Sequence, residues 1–357
     1  MADQNTRSDE AANAPPPTSL LGLREREQFS LAHADVVGVG TSSLAIRCQL
    51  GTETWVIKKF HVGASQVMLD QIAHEVEMLR ISSVAPVSPN VVVLRDVFQA
   101  DGPAICVSLE DCGDTLDSVL TGRANGDPAP LAAPYMADLC AGVAHLHRRR
   151  IVHRDIKPAN LAIGTGERAQ LKILDLGSAC LLDDIEADVW HGCTCSGGTP
   201  LYMPLDALLG APPKLSHDTW SVGVVGYLLF TGRLPFNAKD AAELRAVVRV
   251  GMHGPARHFE SRPLPQEVTL ALKELLSPHA SPSAALRRAQ AACASIEPPS
   301  PPLKSRSDDD SPVSVTELHP SAVGVDPWKA KLRGDLPQPP PHPPRRMHGL
   351  RRAKRVM

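Results

Sequence analysis

The sequence predicts an α+β fold, in which a small sheet with one helix is followed by a larger, mainly helical region. The first observation is a series of short strand-like runs up to about residue 110, interrupted by a single segment of helical spacing. The second is the helical periodicity that follows, in which Met136, Leu139, Val143 and Leu146 recur every three or four residues. Hydrophobic residues make up 43% of the chain, which is enough for a sizeable core.

The predicted small sheet contains five strands, and a glycine turn separates the first two. These strands cover residues 31–39, 43–50, 54–60, 91–98 and 104–109. One helix, at 66–81, lies between the third and fourth strands. We expect Val67, Ile72, Val76 and Leu79 to lie on its buried side.

The larger region contains five segments of helical periodicity. They cover residues 135–149, 218–231, 241–250, 268–276 and 283–294. The most apolar run, 222–230, is too short to span a bilayer, which needs about 20 apolar residues, so we expect a buried core helix. The first 17 residues lack the apolar stretch of a secretory signal, and we expect a soluble, intracellular protein.

Charge and cysteine content argue against several classes of function. The 357 residues include 37 basic and 39 acidic ones, for a formal net charge of −2. This balance does not favour a membrane-associated protein or one that binds nucleic acid directly. The eight cysteines are scattered without a disulfide framework, as is typical of a reducing compartment.

Both ends of the chain have the composition of disordered segments. Residues 1–28 are rich in Ala, Pro and Ser, and thirteen prolines fall between Pro298 and Pro344. We expect a folded domain over 29–294 and a Pro-rich tail over 295–357, which could bind SH3-like partners. The basic end of the tail is either a nuclear import signal or a solvated segment, which leaves nucleus and cytoplasm both open. Its basic residues are Arg345, Arg346, Arg351, Arg352, Lys354 and Arg355.

Six short motifs occur in a fixed order within the predicted folded domain. They are Val56-Ile57-Lys58, Glu75 with Leu79, His153-Arg154-Asp155-Ile156-Lys157-Pro158-Ala159-Asn160, Asp175-Leu176-Gly177, Gly198-Thr199-Pro200-Leu201-Tyr202-Met203, and Asp218-Thr219-Trp220-Ser221-Val222-Gly223. In order and spacing they resemble the signature motifs of eukaryotic-type serine/threonine protein kinases. The compact domain and the altered motifs also resemble virus-encoded members of that family. Each motif alone is weak evidence for this family, but six motifs in the family's order and spacing are a specific indication of it.

The resemblance implies a two-lobed protein kinase fold with ATP bound between the lobes. The small antiparallel-sheet lobe would cover residues 29–110, and the larger helical lobe residues 111–294. Lys58 is then expected to contact the ATP phosphates, and Glu75 to hold Lys58 through an ion pair. Such a protein would transfer the γ-phosphate of ATP to hydroxyl groups of protein substrates.

The catalytic loop carries the residues to which the resemblance assigns the reaction. Asp155 is expected to accept or orient the proton of the substrate hydroxyl, and Lys157 to neutralise the γ-phosphate during transfer. Asn160 and Asp175 are expected to bind Mg²⁺. A lysine two residues after the aspartate resembles serine/threonine rather than tyrosine kinases. Ala159 gives no support for an arginine-directed substrate preference.

Further nucleotide contacts are expected from a glycine-rich turn and from the linker between the lobes. Gly38-Val39-Gly40 resembles the start of the phosphate-binding loop, whose backbone N–H groups cover the phosphates, although Ser43 replaces its third glycine. In the linker, the resemblance implies that backbone groups of Glu110 and Cys112 hydrogen-bond adenine. Asp114 either meets the ribose hydroxyls or is a solvated linker residue.

The segment Pro204-Leu205-Asp206 departs from the family pattern A-P-E. The glutamate of that pattern usually pairs with an arginine near the end of the domain, and Ser281 stands at the corresponding position here. We therefore expect Asp206 to contact Arg287 or Arg288, or to cap the helix that follows.

The resemblance also implies regulation by phosphorylation of the activation segment. Arg154 precedes the catalytic aspartate, and in kinases of this type that arginine pairs with a phosphorylated residue. Thr194 and Ser196 lie close to the usual position of that residue, just before Thr199. We expect one of them to be phosphorylated in the active protein.

Two classes of function remain open from the sequence. The incomplete glycine loop and the Pro204–Asp206 segment favour a pseudokinase, a folded binding scaffold without turnover. The complete set of charged and amide residues favours an active enzyme instead. That set comprises Lys58, Glu75, Asp155, Asn160 and Asp175.

Overall fold

A computed structural model describes residues 35–40, 43–50, 53–61, 66–100, 104–121, 131–164, 169–186, 197–236, 238–253 and 264–296 of the chain. Within these ranges a five-stranded antiparallel sheet with one long helix precedes a mainly helical region. The predicted α+β, two-lobed architecture is confirmed. The N-terminal segment at 1–28 and almost all of the Pro-rich tail lie outside the described residues.

The five-stranded sheet has the strand order β1-β2-β3-β5-β4. Its strands are β1 (Asp35–Val39), β2 (Ser43–Leu50), β3 (Glu53–His61), β4 (Leu94–Ala100) and β5 (Ala104–Glu110). Successive side chains of a strand point to opposite faces, so β3 divides its residues between two clusters. Ile57 packs on the outer face with Cys48, Phe98 and Cys106, whereas Phe60 joins the main core. Lys58 shares the inner face with Phe60, whose ring centroid lies 5.4 Å from its ammonium.

Helix α1 (Gln66–Ser82) packs beside this sheet through a stripe that includes the fully buried Ile72, Val76 and Leu79. The prediction that Val67 belongs to the same stripe was wrong, because its side chain is 66% exposed. Val67 precedes Ile72 by five residues, which is about 140° around an α-helix and therefore on another face. Glu75 lies within the buried stripe, beside Val76.

The helical region is built around α6, which is apolar on all sides and is enclosed by neighbouring helices. Its helices are α2 (Leu116–Thr121), α3 (Ala132–Arg148), α4 (Leu182–Glu186), α5 (Leu205–Leu208), α6 (Leu215–Thr231), α7 (Ala241–His253), α8 (Gln266–Leu275) and α9 (Pro282–Ala294). The apolar run at 222–230 is a core helix, as predicted. Gly232 ends α6 in a left-handed conformation with a φ of 66°. Among the described residues, no helix is long and apolar enough to cross a bilayer.

Five short strands position the loops between the sheet and the helices. They are β6 (Asp114–Thr115), β7 (Ile151–Val152), β8 (Leu161–Ile163), β9 (Leu171–Ile173) and β10 (Cys180–Leu181). Strand β7 pairs with β10, and β6, β8 and β9 form a second small sheet. The loops at 153–160 and 174–179 therefore begin and end in hydrogen-bonded strands, which brings both loops to the same side of the helical region.

Candidate active site

Lys58 lies at the centre of a charge cluster between the sheet, α1 and the loop after β9. Its ammonium is 2.6 Å from Glu75 Oε1 and 3.0 Å from Asp175 Oδ1. Burial alone lowers the pKa of Lys58, but the two carboxylates outweigh that effect and raise it. Burial raises the pKa of Glu75, and the adjacent ammonium offsets part of this change. An ammonium held between two carboxylates, only 18% exposed, can bind a further anion while keeping its position.

Asp175 presents the most exposed carboxylate of this cluster, with a side chain that is 46% exposed. Its backbone has a φ of 54°, which is uncommon for a non-glycine residue and turns the chain sharply before Gly177. The Gly177 amide donates to Asp175 Oδ1 over 3.2 Å. The Lys58 ammonium holds the pKa of Asp175 down to about 2. Asp175 therefore stays ionised throughout the physiological pH range.

Asp155 lies in a second cluster on the loop after β7. Its Oδ1 accepts the Thr199 hydroxyl over 2.7 Å, and its Oδ2 lies 2.8 Å from the Lys157 ammonium. The Asn160 amide donates to both the side chain and the backbone carbonyl of Asp155, over 3.0 and 2.9 Å. Lys157 also donates to Thr199 over 2.8 Å, which closes a ring of three side chains. This ring fixes the direction of a carboxylate that is only 14% exposed.

Asp218 of α6 accepts hydrogen bonds from the backbone of this loop. The Asp218 carboxylate, which is fully buried, accepts the amides of His153 and Arg154 over 2.8 Å each and lies 3.0 Å from His147 Nε2. Burial alone raises the pKa of Asp218, but His147 and the other donors outweigh that effect and lower it. His153 in turn reaches the carbonyl of Leu174 over 2.9 Å. The two loops that carry Asp155 and Asp175 are thus fixed to each other.

The segment between the sheet and the helical region is held by charged side chains on both sides. Glu110 lies 2.8 Å from the Lys172 ammonium of β9, and its Oε1 accepts the Val93 amide over 2.9 Å. From the sheet side, Arg47 lies 2.9 Å from Asp111. Because the Glu110 side chain is used within the protein, the segment can offer mainly backbone groups to a ligand.

Cys112 and Asp114 differ in how accessible they are. The Cys112 side chain is buried, and burial raises the pKa of its thiol to about 12, so this cysteine is a poor nucleophile. Asp114 is 68% exposed and lies 3.5 Å from Arg47. Gly113, between them, has a φ of 85°, and a Cβ there would lie 2.1 Å from the Ile163 carbonyl. Only glycine fits this close approach.

The glycine turn joins the antiparallel strands β1 and β2, whose pairing register shifts between Val36 and Gly38. Gly38 lies opposite Ala45, and the Gly40 amide donates to Ser43 over 2.8 Å. Neither glycine has a positive φ. Val39 is 64% exposed, and residues 41 and 42 lie outside the described part of the chain.

The partners of Asp206 are side chains at the start of the following helix, α6, and are neither the predicted arginines nor the backbone amides that a helix cap would use. It lies 3.0 Å from Lys214 and 3.1 Å from His217, both at the start of α6, and these groups outweigh burial and lower its pKa. Arg288 instead pairs with Glu274 of α8 over 2.9 Å. The prediction of an arginine partner assumed that this segment contacts the last helix. The short aspartate side chain instead contacts the start of α6, which lies closer.

Of the regulatory candidates, Thr194 and Ser196 lie outside the described residues. The Arg154 guanidinium lies beside the activation segment, because a Cβ on Gly197 would be only 2.8 Å from it. Thr199 is only 7% exposed and lies between Asp155 and Lys157. The structure thus places Thr199 in the charge cluster of the catalytic loop, which its sequence position did not reveal. A contact between residues 42 positions apart leaves no local sequence pattern.

Comparison with known protein families and with curated proteins agrees with this geometry. Residues 31–292 match the protein kinase domain. The human serine/threonine-protein kinase DCLK3 is 29% identical over 276 residues, which is 74% of this chain and 39% of that protein. An Arabidopsis thaliana relative, CBL-interacting serine/threonine-protein kinase 20, is 30% identical over 59% of this chain and 45% of its own length. Mouse serine/threonine-protein kinase Nek3 is 32% identical over 43% of this chain and 29% of its own length. The chain thus spans less than half the length of these relatives. Because the family match covers most of its residues, the chain belongs to the protein kinase family.

Proposed function

We propose that this chain is an active serine/threonine kinase, which transfers the γ-phosphate of ATP to hydroxyl groups of protein substrates. The observation that carries the proposal is the simultaneous presence of two complete charge clusters. One is centred on Lys58 and the other on Asp155, and each residue in them makes hydrogen bonds of 2.6–3.2 Å. A scaffold without turnover has no need of the second cluster.

The Lys58 cluster supports the binding of a triphosphate. Lys58 would contact phosphate oxygens, and the buried Glu75 keeps the ammonium directed at that position. The pKa of Lys58 is raised, so this residue stays cationic under physiological conditions. The backbone of Glu110 and Cys112 would hold the adenine, with the glycine turn of Gly38 to Gly40 above the phosphates.

Asp175 and Asn160 fit a magnesium site that is completed by the nucleotide. Mg²⁺ prefers oxygen ligands and is usually held by one or two protein groups together with phosphates and water. Because the Asn160 amide nitrogen donates to Asp155, its carbonyl oxygen remains for the metal. Bound Mg²⁺ would neutralise phosphate charge.

The Asp155 cluster supports the transfer step. The substrate hydroxyl oxygen would form a bond to the γ-phosphorus, while the bond from that phosphorus to the leaving ADP oxygen breaks. Asp155 would accept or orient the hydroxyl proton, and Lys157 would stabilise the charge on the transferring phosphoryl group. Thr199 positions both side chains through its hydroxyl. Lys157, two residues after Asp155, favours serine and threonine over tyrosine as acceptors, in agreement with the names of the relatives.

The test is phosphate transfer from labelled ATP to a degenerate peptide library. The wild-type protein should phosphorylate serine or threonine peptides, and Lys58→Met should abolish transfer because the phosphates lose their cation. Arg148→Gln, on an exposed residue at the end of α3, is the control and should retain full transfer. Normal ATP binding without transfer to any peptide would establish the pseudokinase alternative.

The termini carry separate proposals about partners and location. We infer from composition that the Pro-rich tail binds SH3-like partners and that its basic end directs nuclear import. Changing Arg351, Arg352, Lys354 and Arg355 to alanine should shift the protein toward the cytoplasm. An unchanged distribution on imaging would contradict the import signal.

A further inference from the structure

The C-terminal end of α1, the helix that carries Glu75, is closed by side chains of α3 and its C-cap. His145 Nε2 lies 2.9 Å from the Ser82 carbonyl oxygen, and Arg149 Nε donates to the Ile81 carbonyl over 3.2 Å. The Arg149 guanidinium also donates to the carbonyls of Val84 and Pro86, the latter over 2.9 Å. Two side chains thus make four polar contacts with the end of α1 and the residues that follow it.

The carbonyls at a helix C-terminus lack partners within the helix. In α1, the Ser83 amide satisfies the carbonyls of Leu79 and Arg80 over 3.1 and 3.2 Å. The last two carbonyls, of Ile81 and Ser82, receive their side-chain donors from Arg149 and His145. The Val84 amide also reaches the Ile81 carbonyl, but over 3.4 Å. The shortest hydrogen bonds to these last two carbonyls therefore come from the helical region.

Arg149 also fixes the tautomer of His145. A guanidinium carries only donors, so His145 Nδ1, which lies 3.2 Å from Arg149 Nη1, must accept. The proton of the neutral ring therefore resides on Nε2 and is donated to Ser82. The positive charge of Arg149 lies at the negative end of the helix dipole, which adds a favourable interaction.

We propose that Arg149, together with His145, is a positioning residue that fixes the end of α1 and thereby the place where Glu75 meets Lys58. The inference rests on the kinase activity proposed above. Glu75 lies seven residues before Ser82, about 10 Å along a rigid helix. A displacement of the helix end therefore moves the Glu75 carboxylate, whose contact with Lys58 has little tolerance at 2.6 Å.

A second anchor holds the following loop but does not replace this one. Asn90 donates to the Leu171 carbonyl over 3.0 Å, and its backbone carbonyl accepts the Ile173 amide over 2.9 Å. Asn90 lies eight residues beyond the end of α1. It fixes the far end of the loop, whereas Arg149 and His145 provide the polar contacts between the helical region and the last turn of α1.

The experiment compares Arg149→Leu with Arg148→Leu in the full-length chain. Arg148 is the adjacent arginine, it is exposed, and it makes none of these contacts with α1. We expect Arg149→Leu to lower kcat at least about tenfold with the KM for ATP within about threefold, whereas Arg148→Leu leaves both unchanged. Arg149→Lys, which keeps the charge but loses the fork of donors, should lie between them.

Two further readouts do not depend on turnover. In Arg149→Leu, hydrogen–deuterium exchange should accelerate at residues 76–87, and amine acylation of Lys58 should accelerate because the ion pair with Glu75 is weakened. If the wild type transfers no phosphate, the proposed function fails, while these two readouts still judge the role of Arg149. A lower melting temperature with unchanged exchange, Lys58 reactivity and kcat would mean that Arg149 only stabilises the fold. If Arg149→Leu does not fold, His145→Leu against His145→Gln provides the same comparison, since glutamine retains a donor near the Nε2 position.

Discussion

Among single residues, the two aspartates proposed for catalysis and metal binding have different surroundings. Asp155 is enclosed by donors of its own chain, from Lys157, Thr199 and Asn160. Asp175 is open on one side and is fixed by Lys58. Such surroundings suit a carboxylate that directs a proton and a carboxylate that holds a metal, respectively.

The first prediction separates these two roles by isosteric substitution. Asp155→Asn should leave ATP affinity within about threefold of wild type but lower the transfer rate about 10²-fold or more, because a positioned acid–base group is lost. Asp175→Asn should weaken both Mg²⁺-dependent ATP binding and transfer. The measurements are kcat from steady-state kinetics and ATP affinity from titration calorimetry with and without Mg²⁺. Full transfer by Asp155→Asn would refute the assignment of the catalytic loop.

The second prediction concerns the pH dependence of stability at His145. Burial, together with the charges of Arg149 and Arg148, lowers its pKa below the usual value of 6.5. The unfolded chain therefore binds a proton that the folded chain refuses, so this stabilisation is complete above pH 6.5 and is lost as the pH falls below it.

The matched variant for that measurement is His145→Gln, which keeps a donor for Ser82 but does not titrate. The free energy of unfolding of the wild type should fall relative to the variant below pH 6.5, by at most about 1.4 kcal/mol per pH unit. Denaturant titrations of both proteins between pH 5 and pH 8 provide the comparison. Parallel curves over that range would show that His145 is not the titrating group.

Among the elements, the start of α6 anchors two segments of the candidate active site. Asp218 holds the backbone of the loop that carries Asp155, and Ser221 donates to the Tyr202 carbonyl over 2.7 Å. His217 and Lys214 hold Asp206 at the end of the same segment. A helix buried on all sides is a rigid base, so these contacts keep Thr199 close to Asp155.

The third prediction tests the replacement of the usual glutamate–arginine pair by contacts to α6. Asp206→Ala removes the acceptor of the nearly buried His217 and should cost about 1–2 kcal/mol of unfolding free energy. The control is Arg288→Ala, which removes the exposed partner of the half-buried Glu274 and should cost less, about 0.5 kcal/mol. Denaturant unfolding measures both. If Arg288→Ala lowered the unfolding free energy more than Asp206→Ala, the contact of the last helix would be the more important one for stability.

At the scale of the whole molecule, the core joins the sheet, α1 and the helices into one hydrophobic cluster. Ile296 is the last described residue and still packs against this cluster, and its amide donates to the Cys293 carbonyl over 3.2 Å. The folded part of the protein therefore extends at least to Ile296.

The fourth prediction is that residues 297–357 contribute little to the fold. Their composition cannot bury enough apolar surface to offset chain entropy. Deletion after Ile296 should leave peptide phosphorylation intact and change the melting temperature by less than about 4 °C. Deletion after Ser281 is the control and should unfold the protein, because it removes the buried Ala285, Leu286 and Ala289 of α9. A larger fall in melting temperature on removing only residues 297–357 would show that the tail packs on the domain.

The order of the elements and most of the candidate site residues can be predicted from the amino-acid sequence. Hydrophobic periodicity located the five strands of the sheet and the long helices to within a few residues, because burial on one face imposes a period. The catalytic loop and the Asp175 turn were recognisable because each is a short continuous segment. The burial of Val67 was predicted wrongly. Its side chain lies between two faces of the helix, and whether such a side chain is buried depends on which elements pack there.

Contacts between residues that are distant in sequence follow from the packing of the folded chain. Thr199 joins Asp155, Asp206 pairs with Lys214 and His217, and Arg149 closes the end of α1. None of these contacts leaves a periodic or local pattern, because each depends on how two elements pack against each other. Side-chain length and the position of the nearest donor then select the partner, and both are properties of the folded chain.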